Sequence, residues 1–477
     1  MMVGAWLRML GRFVREQGGN TAIVFAFCLL PLVGAAGLAL DSLLAFTVEE
    51  RLQKALDAAG LAAGRANDPA NIQADARAFF DTNFEAGPDL ASVTSFSVRV
   101  TETDEGQSIA LAASATMPTR IMRIFGKDQV TVSANAVINR AIQGVELVMV
   151  LDTTYSMLIY DNRIGGLKVA AKELLNILFG DNETKKNLYV GIVPYIASVN
   201  VGTANINFLA ATDPVRSGGT NPYAPETWGG CVLARAAPRD QNDDPPSVAP
   251  FTSYLYPNTE PGNPWPNTWP PNDRRERVYS SGHIFREFDS PNAGCPTPIV
   301  PLGARKSQLV AAIDGLRPEP RGGTIVSEGL AWGWRAISPR WRGLWSGSPT
   351  NLPLAYNTPR MIKVIIVLTD GENQMLVDNN RSPYNAYVDW RGLGVSASEI
   401  STFNELNRRT KNVCNNVKAA GIKIYSIMLG NAGTTARNLM RDCASEPSMY
   451  FYSPDNATLR TAFKKIGSEL ANLRIAQ

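Results

Sequence analysis

Three short groups of oxygen-bearing side chains stand out because each lies beside a segment with a clear structural preference. The group 152–156 follows the apolar run 145–151, and the group 369–372 follows the most apolar run of the chain. The third group, 322–324, opens a predicted helix. In open α/β sheets, ligands bind outside the carboxyl ends of the strands. The three groups therefore predict a binding site at one rim of a sheet.

A hard divalent cation is the ligand that these residue types favour, because Mg²⁺ and Ca²⁺ are bound by oxygen atoms. Asp152, Thr154 and Ser156 occupy alternate positions of one loop, so their oxygens can point the same way. Thr324 supplies a third hydroxyl, and Asp370 supplies a second carboxylate. With only two formal negative charges, the site leaves the cation able to accept a carboxylate from a partner. We predict Mg²⁺, with Mn²⁺ and Ca²⁺ as alternatives.

The same residues also have a purely structural interpretation. An Asp or Thr at the end of a strand often caps the following helix, and a D-x-[ST]-x-S pattern alone occurs often by chance. Three correctly ordered groups are much harder to obtain by accident. We therefore favour a cation site and keep a vestigial site as the alternative.

Alternating strands and helices must position these groups. Continuous apolar runs are typical of strands buried on both faces, and the alternation predicts a doubly wound, mostly parallel α/β sheet with right-handed crossovers. Strands are predicted at 145–151, 188–193, 362–368 and 422–428, and helices at 167–179 and 458–473.

Within the domain predicted at 143–477, the periodicity fails between about 198 and 300. Pro, Asn, Gly and Trp dominate that segment, and such a composition does not build a packed helix or a central strand. We predict a surface insertion there. Its tryptophans, Trp228, Trp265 and Trp269, are either contact residues for a partner or packing residues that hold the insertion together.

Composition argues against several classes of function. The 477 residues contain 46 Lys and Arg against 43 Asp and Glu, a net charge of +3, without a long basic run. Nucleic acid is therefore not a predicted partner. A zinc-binding helix with two histidines is excluded because the chain has a single histidine, His283. The sequence also has neither a G-x-x-x-x-G-K phosphate-binding loop nor a G-x-S-x-G nucleophile elbow. We predict that the protein is not an enzyme.

The five cysteines fall into two groups. Cys28 lies within an apolar run, and Cys231, Cys295, Cys414 and Cys443 lie far downstream without a C-x-x-C spacing. The four form either two disulfides in an oxidising compartment or reduced thiols in the cytosol. We favour Cys231 with Cys295 and Cys414 with Cys443, because each bridge then closes within one region, although the sequence does not fix the pairing.

The N-terminal segment is predicted to be a membrane anchor. Residues 23–40 carry no charged side chain, and a helix of that length nearly spans hydrocarbon. Arg8, Arg12 and Arg15 precede the segment and favour a cytoplasmic N-terminus. A cleaved signal peptide, a buried core helix and a prepilin-like segment are the alternatives.

A single-pass topology follows from this anchor. We predict a cytoplasmic segment at 1–20, an anchor in the inner (cytoplasmic) membrane at 21–46, and the remaining chain on the periplasmic or cell-surface side. An alanine-rich helix and two alternating strands at 47–142 predict a small α+β spacer.

From about 145 to 473 the chain resembles the von Willebrand factor A family. In that family a D-x-S-x-S motif, a separate threonine and a separate aspartate form the metal-ion-dependent adhesion site. The resemblance implies that Thr154, Ser156 and Thr324 place hydroxyls on the ion, and that Asp152 and Asp370 act directly or through water. Thr154 stands where serine is common, and it keeps the hydroxyl.

A narrower resemblance connects the chain to TadG-like proteins of the tight-adherence (Flp pilus) system. It is carried by 18–23 (GGNTAI), by 329–335 (GLAWGWR) with Ser338-Pro339, and by the C-terminal segments 443–445 and 470–474. The resemblance implies a role in pilus assembly or surface attachment. Its implied partners are other envelope proteins of that machine.

Together these features predict a membrane-anchored, metal-dependent protein-binding module whose cation captures an acidic side chain of a partner. An adaptor subunit for an AAA+ ATPase complex is one alternative, but it requires the C-terminal domain to lie in the cytosol. A structural envelope protein with a vestigial metal site is the other.

Overall fold

The structure is a computed structural model. It describes residues 20–65, 71–84, 91–102, 106–141, 143–220, 227–254, 274–278, 284–288, 292, 294–319, 322–375, 386–387, 390–396 and 398–475. The chain divides into an N-terminal unit within Met1–Ile142, joined by Ile475–Gln477, and a C-terminal unit, Gln143–Arg474. Each unit has its own hydrophobic core.

The N-terminal unit packs a long helix and a short helix on an antiparallel sheet of order β1-β2-β3. Val48, Leu52 and Leu56 of the long helix are fully buried. The strand β2 was not predicted, because alanines lie on both of its faces: Ala113 and Ala115 are buried, Ala110 and Ala112 lie on the other face, and the alternation is therefore weak. The elements are α1 (Asn20–Arg65), α2 (Ile72–Asn83), β1 (Ser92–Glu102), β2 (Gly106–Pro118), a 3-10 turn (Met122–Phe125) and β3 (Gln129–Ala141).

Helix α1 continues without a break from the apolar segment into this unit, through Pro31. Its part Val24–Arg65 is long and apolar enough to cross a membrane, by length and composition, with a mean hydropathy of 2.0 in its best window. The large side chains of its first turns, Val24, Phe25 and Phe27 among them, are exposed. The arginines at 8, 12 and 15 lie outside the described residues.

The C-terminal unit contains the predicted α/β sheet. Its parallel strands follow the order β15-β14-β12-β4-β5, and β10 pairs antiparallel with β5. The strands are β4 (Gly144–Asp152), β5 (Leu188–Tyr195), β6 (Val199–Asn200), β7 (Cys231–Val232), β8 (Arg274–Val278), β9 (Ile284–Phe288), β10 (Val300–Gly303), β11 (Gly323–Thr324), β12 (Met361–Thr369), β13 (Gln374–Met375), β14 (Lys423–Leu429) and β15 (Tyr450–Ser453).

Helices cover both faces of this sheet, and successive residues of β4 enter different cores. Val148 and Val150 belong to one hydrophobic cluster, and Leu147 and Met149 belong to the other. The prediction of a doubly wound, mostly parallel sheet is confirmed. The helices are α3 (Ser156–Ile159), α4 (Arg163–Phe179), α5 (Pro214–Ser217), α6 (Lys306–Asp314), α7 (Val326–Ile337), α8 (Trp390–Leu393), α9 (Glu399–Ala419), α10 (Thr434–Cys443) and α11 (Asn456–Ile475), with 3-10 turns at Thr203–Phe208, Arg239–Gln241, Pro339–Trp341 and Pro447–Met449.

Two glycines let α7 lie close to the sheet. A Cβ at Gly329 would clash with the ring of Tyr195, and one at Gly333 would clash with Val150. The Tyr195 hydroxyl donates a 3.1 Å hydrogen bond to the carbonyl of Leu368 at the end of β12. The GLAWGWR segment therefore has a packing role in positioning α7 against β4 and β5.

A buried ion pair joins the two central strands. Glu146 of β4 and Lys363 of β12 are paired in register, are almost completely buried and form a salt bridge. Glu146 also accepts a 2.7 Å hydrogen bond from the backbone N–H of Leu354. Burial raises the pKa of Glu146, and burial lowers the pKa of Lys363.

The described part of the predicted insertion at 198–300 is not confined to the surface. Phe208, Leu209 and Phe251 are buried in the same core cluster as α7. Polar anchors also fix the segment: the guanidinium of Arg335 donates to the carbonyls of Asn242, Arg239 and Asp240. The irregular backbone of this segment is thus held by hydrogen bonds from a side chain distant in sequence. The local hydrophobic periodicity of the segment does not indicate such bonds.

A second buried charge fixes the same segment from α9. Arg409 forms a salt bridge with Asp240, and Tyr387 donates a 2.9 Å hydrogen bond to the same carboxylate. Arg409 and Asp240 are almost completely buried. The segment is therefore part of the folded domain.

Both favoured disulfides are present. Cys231 is bonded to Cys295, and Cys414 is bonded to Cys443, with Cα–Cα distances of 5.8 and 5.1 Å. Trp228 is buried, and its indole N–H donates to the carbonyl of Cys231 at 2.6 Å. Of the two interpretations for Trp228, the packing role is therefore the one that the structure supports. Trp265, Trp269 and His283 lie outside the described residues.

Candidate metal centre

The fold brings two of the three predicted groups to the point where the strand order reverses. Strand β4 is the first of the parallel strands in sequence, and its neighbours β5 and β12 lead away in opposite directions. Asp152 is the last residue of β4, and Asp370 directly follows β12. Ligands of doubly wound sheets bind at such a switch point.

Four of the five predicted side chains form a continuous chain of oxygens. Thr154 Oγ1 donates to Asp152 Oδ1 at 2.6 Å, and Ser156 Oγ donates to Asp370 Oδ1 at 2.6 Å. The two hydroxyl oxygens lie 2.9 Å apart. Residues separated by more than 200 positions in sequence therefore converge at one site.

The spacing of these oxygens fits a small divalent cation. Adjacent ligands of an octahedral Mg²⁺, each about 2.0–2.1 Å from the ion, are about 2.9 Å apart. Each hydroxyl carries only one proton. When both protons point to the carboxylates, Thr154 and Ser156 face each other with lone pairs only. A cation among these oxygens would stabilise that arrangement.

The electrostatics of Asp152 and Asp370 also favour a bound cation. Burial, followed by the negative charge of Asp370, raises the pKa of Asp152 to about 7. Burial also raises the pKa of Asp370, although hydrogen bonds from Ser156 and Arg163 oppose the increase. Two carboxylates in a poorly solvated site resist ionising together. A bound cation would favour the ionised form of both.

Thr324 lies near this rim but is not joined to the other four side chains. It belongs to β11, which pairs with β13 through Thr324 and Gln374, four residues beyond Asp370. Within the part of the chain that the structure describes, its hydroxyl has no hydrogen-bond partner. Its assignment as a ligand, like that of the other four residues, stays a prediction.

Two further residues, Thr369 and Arg163, contact the carboxylates and were not among the predicted ligands. The Thr369 hydroxyl donates to Asp152 Oδ2 at 2.8 Å, so both oxygens of Asp152 are held. Arg163 Nη1 donates to Asp370 Oδ2 at 2.9 Å. Thr369 could have been found because it directly precedes Asp370, whereas nothing in the sequence around Arg163 indicates its role.

The local backbone and the neighbouring residues fix the position of the Arg163 side chain. Asp161 and Asn162, which precede it, both have positive φ angles of 50° and 47°, a conformation that is uncommon for non-glycine residues. The guanidinium also lies 5.0 Å from the ring centre of Tyr160. A Cβ at Gly430 would clash with it, so the glycine leaves the space that Arg163 occupies.

No cluster of three or more His, Cys, Asp or Glu side chains that could hold a metal ion occurs among the described residues. The switch-point site combines two carboxylates with hydroxyl oxygens, a donor set that suits a hard cation such as Mg²⁺.

Comparison with protein families gives one match. Residues 19–66 match the family described as putative Flp pilus-assembly TadE/G-like. The match covers the N-terminal helix and its flanks, and it agrees with the pilus resemblance of the sequence. Comparison with curated proteins gave no match.

Solved structures that match the chain include von Willebrand factor A domains of pilus proteins. The von Willebrand domain of the type V pili tip protein Mfa5 from Porphyromonas gingivalis is 12% identical, with a TM-score of 0.34, and the match covers 69% of this chain and 95% of that one. The pilus adhesin SpaC from Lactobacillus rhamnosus GG, in an open conformation, is 12% identical, with a TM-score of 0.35 and coverage of 81% and 34%.

A further match is proximal thread matrix protein 1 from the mussel byssus, in a structure with a zinc-occupied MIDAS motif. It is 14% identical, with a TM-score of 0.31, and the match covers 69% of this chain and 48% of that one. The chain thus spans less than half of the mussel protein and of SpaC.

Proposed function

We propose that the protein is a membrane-anchored, cation-dependent binding component of a pilus-assembly or surface-adhesion system. The observation that supports the cation most directly is the oxygen chain from Asp152 through Thr154 and Ser156 to Asp370. The pilus context is supported by the TadE/G-like match at residues 19–66. The proposed role is binding without a chemical reaction.

The proposed anchor is the first part of helix α1. Its exposed apolar side chains have no protein partners to cover them in the described unit, and its length and hydropathy suit a membrane span. Two disulfides in the C-terminal unit support an oxidising compartment for that unit. The proposal therefore places the C-terminal unit on the periplasmic or cell-surface side of the inner membrane.

The charges of the site favour an acidic partner. A divalent cation would balance the two negative charges of Asp152 and Asp370. Arg163 adds a further positive charge beside Asp370 Oδ2. The loaded site would then carry a net positive charge in a poorly solvated environment. An Asp or Glu side chain of another envelope protein is the ligand that such a site would attract.

Photo-crosslinking in cells tests this proposal. A photoreactive residue replaces Tyr160, which is exposed and lies beside Arg163, in a wild-type and in an Asp152→Asn background. We expect a crosslinked envelope partner in the first background and its loss in the second. The same residue at Val169, an exposed position on α4, is the matched control.

Crosslinking that does not depend on Asp152 would contradict the proposal. A partner that crosslinks at Tyr160 with the same yield in the Asp152→Asn background would show that recognition does not use the cation. Titration of the purified chain with MgCl₂ and MnCl₂ checks the cation separately. Equal binding by wild type and Asp152→Asn would reject the assignment of the site.

A further inference from the structure

A short turn of the N-terminal unit packs on the apolar part of helix α1. The turn connects β2 to β3 and contains the 3-10 helix Met122–Phe125, which ends at Gly126 with a φ of 81°. Thr119 closes it, since its backbone N–H donates to the carbonyl of Asp128 at 2.9 Å. The turn, residues 119–128, therefore has a defined conformation.

One carboxylate of α1 holds this turn. Asp41 accepts hydrogen bonds from the backbone N–H groups of Arg120, Ile121 and Met122, at 2.8, 3.1 and 2.8 Å. Asp41 is almost completely buried. These bonds satisfy backbone donors that would otherwise be costly to place beside hydrocarbon.

Two glycines of α1 receive the apolar side chains of the turn. A Cβ at Gly37 would clash with Ile121, and one at Gly34 would lie 3.4 Å from the ring of Phe125. Gly34 precedes Leu40, the end of the uncharged run, by six residues, or about 9 Å along a helix. If α1 spans the membrane, Phe125 lies below the level at which the anchor leaves the hydrocarbon.

The outer side of the turn has the composition of a membrane-interface segment. The side chains of Ile124 and Phe125 are 73% and 44% exposed. Arg123 and Lys127 flank them and are also exposed, beside the acidic Asp128. Exposed apolar side chains between basic ones are typical of segments that lie about 5–10 Å into the headgroup region, with their charged ends at the phosphates.

We propose that the turn 119–128 is a second membrane-contacting element, in which Ile124 and Phe125 enter the outer leaflet and Arg123 and Lys127 bind anionic lipid headgroups. This inference rests on the proposed membrane anchor. The turn would fix the depth and rotation of α1 and hold the N-terminal unit against the bilayer surface. Lipid is the occupant that the position of the turn along the apolar helix favours.

Fluorescence quenching by brominated lipids tests the inference on the full chain. Cys28 is the free cysteine among the described residues, so Cys28→Ser provides a background for single-cysteine labelling with bimane. Labels are placed at Ile124→Cys, at Leu32→Cys on the exposed face of the anchor, and at Val137→Cys. The proteins are reconstituted in phosphatidylcholine vesicles with and without phosphatidylglycerol.

Val137 is the matched control because its side chain is exposed on the same unit. Its neighbour Ile138 contacts α1 at Gly60, where a Cβ would lie 2.8 Å from the Ile138 side chain. Gly60 is about 30 Å along the helix from Leu40. A label at 137 should therefore remain in water.

We expect the label at 124 to be clearly quenched, although less than the label at 32 because its proposed depth is interfacial, and the label at 137 to show little quenching. Arg123→Gln with Lys127→Gln should remove the added quenching at 124 that phosphatidylglycerol causes. Quenching at 32 but not at 124 would overturn the inference and leave the anchor intact. Absence of quenching at both positions would reject the anchor itself.

Discussion

Arg163 Nη1 donates a hydrogen bond to Asp370 Oδ2 over 2.9 Å, while Asp370 Oδ1 accepts from Ser156. The second carboxylate of the candidate site is therefore shared between a fixed cation of the chain and the oxygens that would bind a metal ion. Both side chains are largely removed from water, with 13% of Arg163 and 0% of Asp370 exposed. Solvent therefore screens this interaction less than it screens a surface ion pair.

The Arg163→Gln variant should bind Mg²⁺ more tightly, because it removes a positive charge that repels the ion. We expect an increase in affinity of about tenfold, on the order of 1.4 kcal/mol. Isothermal titration with MgCl₂ measures it. Arg460→Gln, which removes an arginine paired with Glu173 on the surface, is the control. Unchanged affinity in Arg163→Gln would show that the guanidinium and the ion do not interact.

Stabilisation by Mg²⁺ should grow with pH. The folded-state pKa of Asp152 is raised to about 7, above the value of the unfolded chain. Protonation of Asp152 thus stabilises the cation-free protein at low pH, and that contribution is lost as the pH rises through about 7. The difference in Tm between MgCl₂ and EDTA should be small at pH 5 and larger at pH 8. Asp152→Asn should abolish this trend, and a difference that is independent of pH would contradict it.

Removal of one partner of the Glu146–Lys363 pair should destabilise the C-terminal unit. Glu146→Ala leaves Lys363 buried without its carboxylate, and we expect a loss of about 3–5 kcal/mol in the free energy of unfolding. Urea denaturation followed by near-ultraviolet circular dichroism of the buried tryptophans measures it.

Two variants sharpen this test. The double variant Glu146→Met with Lys363→Met should recover most of the loss, since it leaves no buried charge. Lys172→Met, which breaks an exposed pair with Asp314, should change the free energy by less than about 1 kcal/mol. A Glu146→Ala protein as stable as Lys172→Met would show that the buried pair does not contribute.

Loss of the Cys231–Cys295 bridge should lower the stability of the same unit. The bridge joins residues 64 positions apart, and loop-closure entropy predicts a loss of about 4 kcal/mol in Cys231→Ser with Cys295→Ser. Thermal denaturation measures the loss, and Cys28→Ser is the control because Cys28 forms no bridge. Full labelling of Cys231 and Cys295 by maleimide in the native protein, before reduction, would contradict the bridge.

Much of the fold could be predicted because its signals are local. The apolar runs that became β4 and β12 indicate burial on both faces, and their alternation with helices indicates parallel pairing. The polar residues that end these strands, Asp152 and Asp370, then must reach one rim of the sheet. The N-terminal helix is specified in the same way, by a long uncharged apolar run.

Features that depend on distant partners could not be predicted. Arg163 reaches Asp370 only because two residues with positive φ precede it and Gly430 leaves room for its guanidinium. Residues 198–300 were expected at the surface because their periodicity fails. Their described part contributes buried side chains to the core instead, and Arg335, from another part of the chain, donates to three of its backbone carbonyls.

The sequence by itself determined the alternation of buried strands and helices, the apolar N-terminal helix and the oxygen-bearing residues at the strand ends. The tertiary structure decided which of those oxygens lie in contact, that the positively charged Arg163 binds one of them, and where the 119–128 turn lies along α1. The physical reason is that the hydrophobic periodicity of a segment indicates which of its side chains are buried in the core and which are exposed to water. A hydrogen bond or ion pair between segments depends on the position of both partners, which only the packed chain defines.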